Sequence, residues 1–179
     1  MIFHNDMDMP FAKAGSEPVY LQQMKDVLRR HPNTTIIWAH AGLGRIVHPV
    51  QQSGSEPLSE HNPNQMKIVE AILTDPELKH VYFDISWDEV AKYIIGSQQA
   101  LQNTITLINR FPDRFLFGTD VVAPSNPDMY YAVYNMYAPL WKGLTPEASE
   151  KTRKGNYERL FNEGRKKVRA WEKANINDR

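Results

Sequence analysis

The 179 residues suffice for one well-buried core but fall short of the roughly 250 usual for a complete eight-stranded α/β barrel. Lysine plus arginine equals aspartate plus glutamate at 21 each, so the formal charge is zero and no basic face argues for a nucleic-acid partner. With no cysteine, disulfides and thiolate metal sites are excluded, and any bound metal must use imidazole and carboxylate ligands.

In chain order, short apolar segments alternate with longer segments of helical periodicity, the pattern of a parallel sheet covered by helices; the fold class expected is α/β. Candidate strands are Ile2 to His4, Thr34 to His40, Val81 to Ser86 and Phe115 to Asp120, rich in the β-branched and aromatic residues that suit buried strands. The first helix is expected from Pro18 to Arg30, with Val19, Met24, Val27 and Leu28 on one side and His31-Pro32 closing it. Gln51 to Asn64 is polar, carries Gly, Ser and two prolines, and reads as a loop of the kind that shapes active sites. A second helix over Asn64 to Leu73 carries Met66, Val69 and Leu73 on one face. Two more follow over Asp88 to Ile95 and Gln98 to Asn109, separated by Gly96-Ser97. From Pro127 an aromatic stripe of Tyr130, Tyr131, Tyr134 and Tyr137 reads as packing against the body. Thr145-Pro146 starts a short helix that Gly155-Asn156 should end. A final helix from Tyr157 to Lys173 is expected to pack through Leu160, Phe161, Val168 and Trp171, with Arg165-Lys166-Lys167 as a solvated face. The apolar runs lie far below the roughly 20 residues of a membrane span. The start Met-Ile-Phe-His-Asn-Asp lacks the features of a signal peptide, so the default expectation is a cytoplasmic protein.

His4, His40 and Asp120 each stand at the C-terminal end of a predicted strand, and Asp84 stands near the end of another. The intervals between them, in the order His4, His40, Asp84, Asp120, are 36, 44 and 36 residues, the lengths of successive strand-helix units. In an α/β barrel such strand ends converge on one mouth. Imidazoles and a carboxylate are what zinc takes without thiolates, and an open position lets the metal acidify a water whose proton Asp120 accepts. The alternative for each histidine taken singly is a structural loop residue. Arg45 is placed to bind a substrate carboxylate bidentately or to cap a helix. Asp84 is a candidate substrate contact. Asn5, Asp6 and Asp8 are candidates to orient His4, or turn formers. His48 is near the expected mouth, whereas His31, His61 and His80 are expected to face solvent. Trp38, Trp87 and Trp141 are read as packing residues with pocket walls as the alternative.

The segments Ile-Phe-His-Asn-Asp-Met-Asp at the start, Trp-Ala-His-Ala-Gly-Leu-Gly-Arg at 38 to 45 and Arg-Phe-Leu-Phe-Gly-Thr-Asp at 114 to 120 together resemble amidohydrolase family 2. Val81 to Trp87 resembles that family's seventh strand, and Lys154 to Phe161 its closing helix signature. The resemblance implies strands five to eight of a TIM-like (β/α) barrel with C-terminal helices, as a single domain over residues 1–179. It implies a metal histidine of strand five at His4, the histidine of strand six at His40 and the catalytic aspartate of strand eight at Asp120. It further implies a divalent metal, zinc or manganese, and hydrolysis of a small carbonyl- or carboxylate-bearing substrate. The family also holds decarboxylases and hydratases, and a non-catalytic half-barrel is the remaining alternative. The family's first strand supplies a His-x-His pair that this sequence lacks, so the N-terminal half is expected to be missing. A homo-oligomer or a complementing N-terminal half is the partner expected for the open sheet.

Overall fold

A computed structural model describes residues 1–4, 19–43 and 65–176. Four strands, β1 (Ile2–Phe3), β2 (Ile36–Trp38), β3 (Val81–Asp84) and β4 (Phe115–Leu116), form one sheet in the order β1-β2-β3-β4. Every pairing is parallel. Strands and helices alternate as α1 (Val19–Arg30), α2 (Gln65–Thr74), α3 (Asp88–Ile95) and α4 (Gln98–Arg110) occupy the connections. After β4 come α5 (Asp128–Met136), α6 (Ala138–Gly143), α7 (Pro146–Glu150) and α8 (Asn156–Asn175). The strands are shorter than the sequence suggests, so His40, Ser86 and Asp120 lie in the loops just beyond them.

Register explains why both faces of the sheet are apolar. Phe3 pairs with Trp38, Trp38 with Phe83 and Phe83 with Phe115, which sets a row of large rings on one face. Trp38, Phe83 and Phe115 are fully buried, their ring centroids 6.1 and 6.2 Å apart in sequence along the row. This row meets the helices: Leu21, Met24 and Leu28 of α1, Met66, Val69, Ile72 and Leu73 of α2, and Leu107 and Ile108 of α4 join it in one core. Because strand side chains alternate, Ile37, Tyr82 and Leu116 point the other way and meet Leu160 from the start of α8. Burying each such side chain stabilises the fold by about 1.5–3 kcal/mol. Trp38 therefore belongs to the helix-facing core and lines no pocket.

Side-chain contacts fix several element ends, that of Thr145 as expected. Ser97 caps α4 by accepting from the Ala100 amide at 3.0 Å, and Thr145 caps α7 by accepting from Ala148 at 3.1 Å. Arg114 forks onto the carbonyls of Val81 at 2.6 Å and Leu78 at 2.8 Å, tying the turn before β4 to β3.

Four expectations are corrected. His80 is half-buried, and its Nε2 donates to the Leu28 carbonyl at 3.1 Å, so it closes the C-terminal end of α1 instead of facing solvent. Gly155-Asn156 does not end a helix. Gly155 has helical angles (φ −58°, ψ −41°), and the chain passes through a wide turn at Lys151–Gly155 straight into α8. A Cβ there would fall 2.8 Å from a carboxylate oxygen of the exposed Glu150 side chain, which can swing aside, so neither the backbone angles nor the space requires glycine at this position. The Asn156 amide, which a turn would direct to its own backbone, donates to the Pro112 and Phe115 carbonyls at 2.7 and 2.9 Å. On α5, Tyr130 and Tyr131 are exposed, and only Tyr137, just past its end, is fully buried. On α8, Leu160 is buried but Phe161, Val168 and Trp171 are exposed, because the body of the protein lies only under the first turn. Among the described residues, no helix is long and apolar enough to cross a membrane.

Candidate active site

The loops at the C-terminal ends of the strands bring His4, His40, Asp84 and Asp120 into one neighbourhood. His4 directly follows β1 and is exposed; its ring meets that of His40 edge-on, with centroids 4.7 Å apart. His40 is buried in a left-handed turn in which His40 (φ 56°), Ala41 (φ 51°) and Gly42 (φ 68°) follow one another. Only Gly42 adopts that conformation without cost. The Trp87 ring lies 5.2 Å from the His40 ring, and Trp87 itself has φ 94°. Asp120, four residues beyond β4, has φ 54°. Four of the five non-glycine residues with positive φ among the described residues are therefore in or beside this cluster. Such strain persists where surrounding contacts over-determine it, and it concentrates at functional sites.

Hydrogen bonding orients the ring of His40. Its Nδ1 lies 3.2 Å from the Ser86 carbonyl oxygen and 3.2 Å from Ser86 Oγ. The carbonyl only accepts, and the Ser86 hydroxyl directs its own proton to Asp84 Oδ2. Nδ1 therefore carries hydrogen, and in the neutral ring Nε2 presents a lone pair. That lone pair faces Asp120 Oδ2 at 3.9 Å, too long for a hydrogen bond. Two electron-pair donors facing one another across that gap are suited to a cation between them. Ligand bonds of about 2.0–2.2 Å span about 3.4 Å at a tetrahedral angle and about 4 Å at a wider one. On donor type His40 and Asp120 suit a divalent ion, and their 3.9 Å separation would have to close by about 0.5 Å for a tetrahedral one. Among the described residues no cluster of three or more His, Asp or Glu is arranged to hold an ion, and His4 meets His40 ring to ring.

Asp84, the last residue of β3, faces away from the helices beside Leu116. Burial pushes its carboxyl above the usual carboxylate range, against the opposing effect of the Ser86 hydroxyl and of the Ser86 amide, which donates to Oδ1 at 3.0 Å. Both carboxylate oxygens are thus engaged in holding the loop that carries Ser86. The same loop is held from the other side by Tyr137, whose hydroxyl donates to the carbonyls of Ile85 and, at 2.7 Å, Trp87. Neither Tyr137 nor the Ser86 contact to His40 was legible in the sequence, where Tyr137 is one member of an aromatic stripe. Trp141 lies away from His40, in a cluster with Phe117, Tyr134 and Tyr137. Arg45, His48, His61, Asn5, Asp6 and Asp8 lie outside the described residues.

A parallel α/β sheet with ionisable residues gathered at its C-terminal strand ends is the layout of α/β enzymes whose sites are built from loops. A family model for amidohydrolases, family 2, matches residues 4–162, from the first candidate histidine into α8. The chain belongs to that family, and family membership supports a hydrolase-type enzyme. Neither comparison, with curated proteins or with solved structures, finds a match.

Proposed function

We propose that this chain forms the half of a (β/α) barrel corresponding to strands five to eight of a metal-dependent amidohydrolase acting on a small carbonyl- or carboxylate-bearing substrate. The sheet order supports the barrel reading: consecutive parallel strands are immediate neighbours throughout, as along an arc of a barrel, whereas a doubly wound sheet reverses its order. The other half is carried by another chain or by further residues of a longer one.

The observation that carries the catalytic reading is Nε2 of His40 directed at the Asp120 carboxylate. His40 and Asp120, joined by His4 through a turn of its exposed side chain away from the ring contact with His40, are the residues that would hold the ion, zinc or manganese, and the ion would supply Lewis acidity to the substrate. Ser86 orients His40, and Asp84 orients Ser86. This assigns Asp84 a positioning role through the loop more than a substrate contact. Asp120, exposed and borne on a left-handed turn, accepts the proton of the attacking water and returns it to the leaving group. Arg45 is the proposed partner of a substrate carboxylate.

The test is hydrolysis of a panel of small amides, lactones and carboxylated aromatic compounds in ¹⁸O-labelled water by the assembled enzyme. One labelled oxygen in the product, lost in Asp120→Asn, is the expected result. Release of carbon dioxide without label in the organic product would replace hydrolysis by decarboxylation.

A further inference from the structure

Beyond its first turn, α8 leaves the body of the protein. Asn156 and Leu160 are buried, but from Phe161 to Asn175 every residue is exposed except Glu172, which is partly so. This stretch is not uniformly polar. Tyr157, Phe161, Gly164, Val168, Trp171 and Asn175 recur at alternating steps of four and three residues, and so form one stripe along the helix. Tyr157 is 53 %, Phe161 38 %, Val168 54 % and Trp171 61 % exposed. A broad apolar face would belong to a helix lying on a globular core. A narrow stripe of average period 3.5 is the seam of two helices wound about each other.

Among the described residues nothing accounts for the glycine in the stripe. A Cβ at Gly164 would meet nothing within 4 Å, yet glycine in a helix interior costs about 1 kcal/mol relative to alanine. A neighbouring helix crossing closely at that point would use the space. Val168, β-branched at a seam position, suits a two-stranded pair.

The charges beside the seam select the occupant and its direction. In a parallel pair of identical helices, Lys167 of one lies against Glu172 of the other, and symmetry supplies the contact twice. An antiparallel pair would set Arg165 against Arg165, Lys167 against Lys167 and Glu158 against Glu172. Within one chain Glu172 already accepts from Arg169 at 2.6 Å, which leaves its second oxygen for a lysine across the seam. We propose that α8 pairs with α8 of a second copy of this chain in parallel, through the seam Phe161, Gly164, Val168, Trp171 and Asn175. The seam is about 21 Å long, two heptads, so the association is reversible and concentration-dependent.

The test is analytical ultracentrifugation of the 179-residue chain over a series of concentrations, beside Val168→Glu and two cysteine variants. Val168 is exposed, so its replacement leaves the fold intact, which circular dichroism checks. The parent is expected to show a monomer–dimer equilibrium, and Val168→Glu to weaken it by about tenfold or more, since pairing would bury two like charges. The natural chain has no cysteine, so Asn175→Cys on the seam should form a disulfide-linked dimer under mild oxidation, while Lys166→Cys on the outer face should not. A parent that is monomeric at all concentrations overturns the proposal. So does a dimer unaffected by Val168→Glu, which would place association at the open sheet, or a dimer in which Asn175→Cys fails to cross-link. None of these readouts depends on metal or activity, so they fail independently of the hydrolase reading.

Discussion

Replacing Tyr137 by phenylalanine isolates the hydroxyl that supports the loop behind His40. The ring stays in its cluster with Phe117 at 4.9 Å and Trp141 at 5.6 Å, so the substitution removes only the oxygen. Two carbonyls lose a donor. Trp87 keeps the Ala91 amide at 3.2 Å, whereas Ile85 loses the buried donor that points at it. A lost hydrogen bond costs about 0.5–1.5 kcal/mol and an orphaned buried carbonyl about 1–3, so Tyr137→Phe should destabilise the fold by about 2 kcal/mol. For a chain of this size that lowers Tm by about 6 °C. The pH dependence gives a second, independent reading. Burial first, and then the carboxylates of Asp84 and Asp88, push the Tyr137 hydroxyl well above the ordinary tyrosine value. The unfolded chain ionises near pH 10 while the folded one keeps its proton. The stabilisation is therefore complete below pH 10 and is lost at about 1.4 kcal/mol per pH unit as pH rises towards the folded value. Tyr137→Phe should remove that share of the alkaline slope. Urea denaturation of both proteins at neutral pH and above pH 10 measures both effects. Equal stability at neutral pH, or an unchanged alkaline slope, would refute the role assigned to the hydroxyl.

The remaining predictions concern the two other buried polar supports. Asn156→Ala should cost about 2 kcal/mol, because the Pro112 and Phe115 carbonyls lose their donor, and Asn156→Asp should cost more, since a carboxylate cannot donate and is itself buried; denaturation midpoints rank the three proteins. For Asp84 the sign runs the other way from a paired carboxylate. Its folded value is raised, so the protonated form is favoured on folding, and that stabilisation is lost as pH climbs from 3.8 to the raised value. Asp84→Asn should therefore be at least as stable as the parent at neutral pH and show a flatter stability profile through the acid range; a clear loss at neutral pH would contradict the burial argument.

The sheet was legible because each strand is a short β-branched or aromatic run with a polar residue after it, and the start of α7 because Thr145 is of the residue types that cap helices. The positions of His4, His40, Asp84 and Asp120 at consecutive strand ends followed from the same spacing. What escaped was what lies beneath each apolar face. Tyr130, Tyr131, Val168 and Trp171 have helical spacing, but periodicity states only which residues share a face, not whether the body of the protein extends under it. Gly155 looked like a stop because glycine often is one, whereas here its backbone is helical and the chain runs on into α8. The left-handed turn at His40 and the reach of Tyr137 to a loop 50 residues away are tertiary facts, and no local pattern announces them.

The proposed metal site depends on His4, His40 and Asp120 serving one ion. Calorimetric titration of the metal-free chain with zinc, repeated on His4→Asn, His40→Asn and Asp120→Asn, tests it most directly. One site in the parent and at least about a tenfold loss of affinity in every variant are expected. Zinc binding that is indifferent to all three substitutions would contradict this.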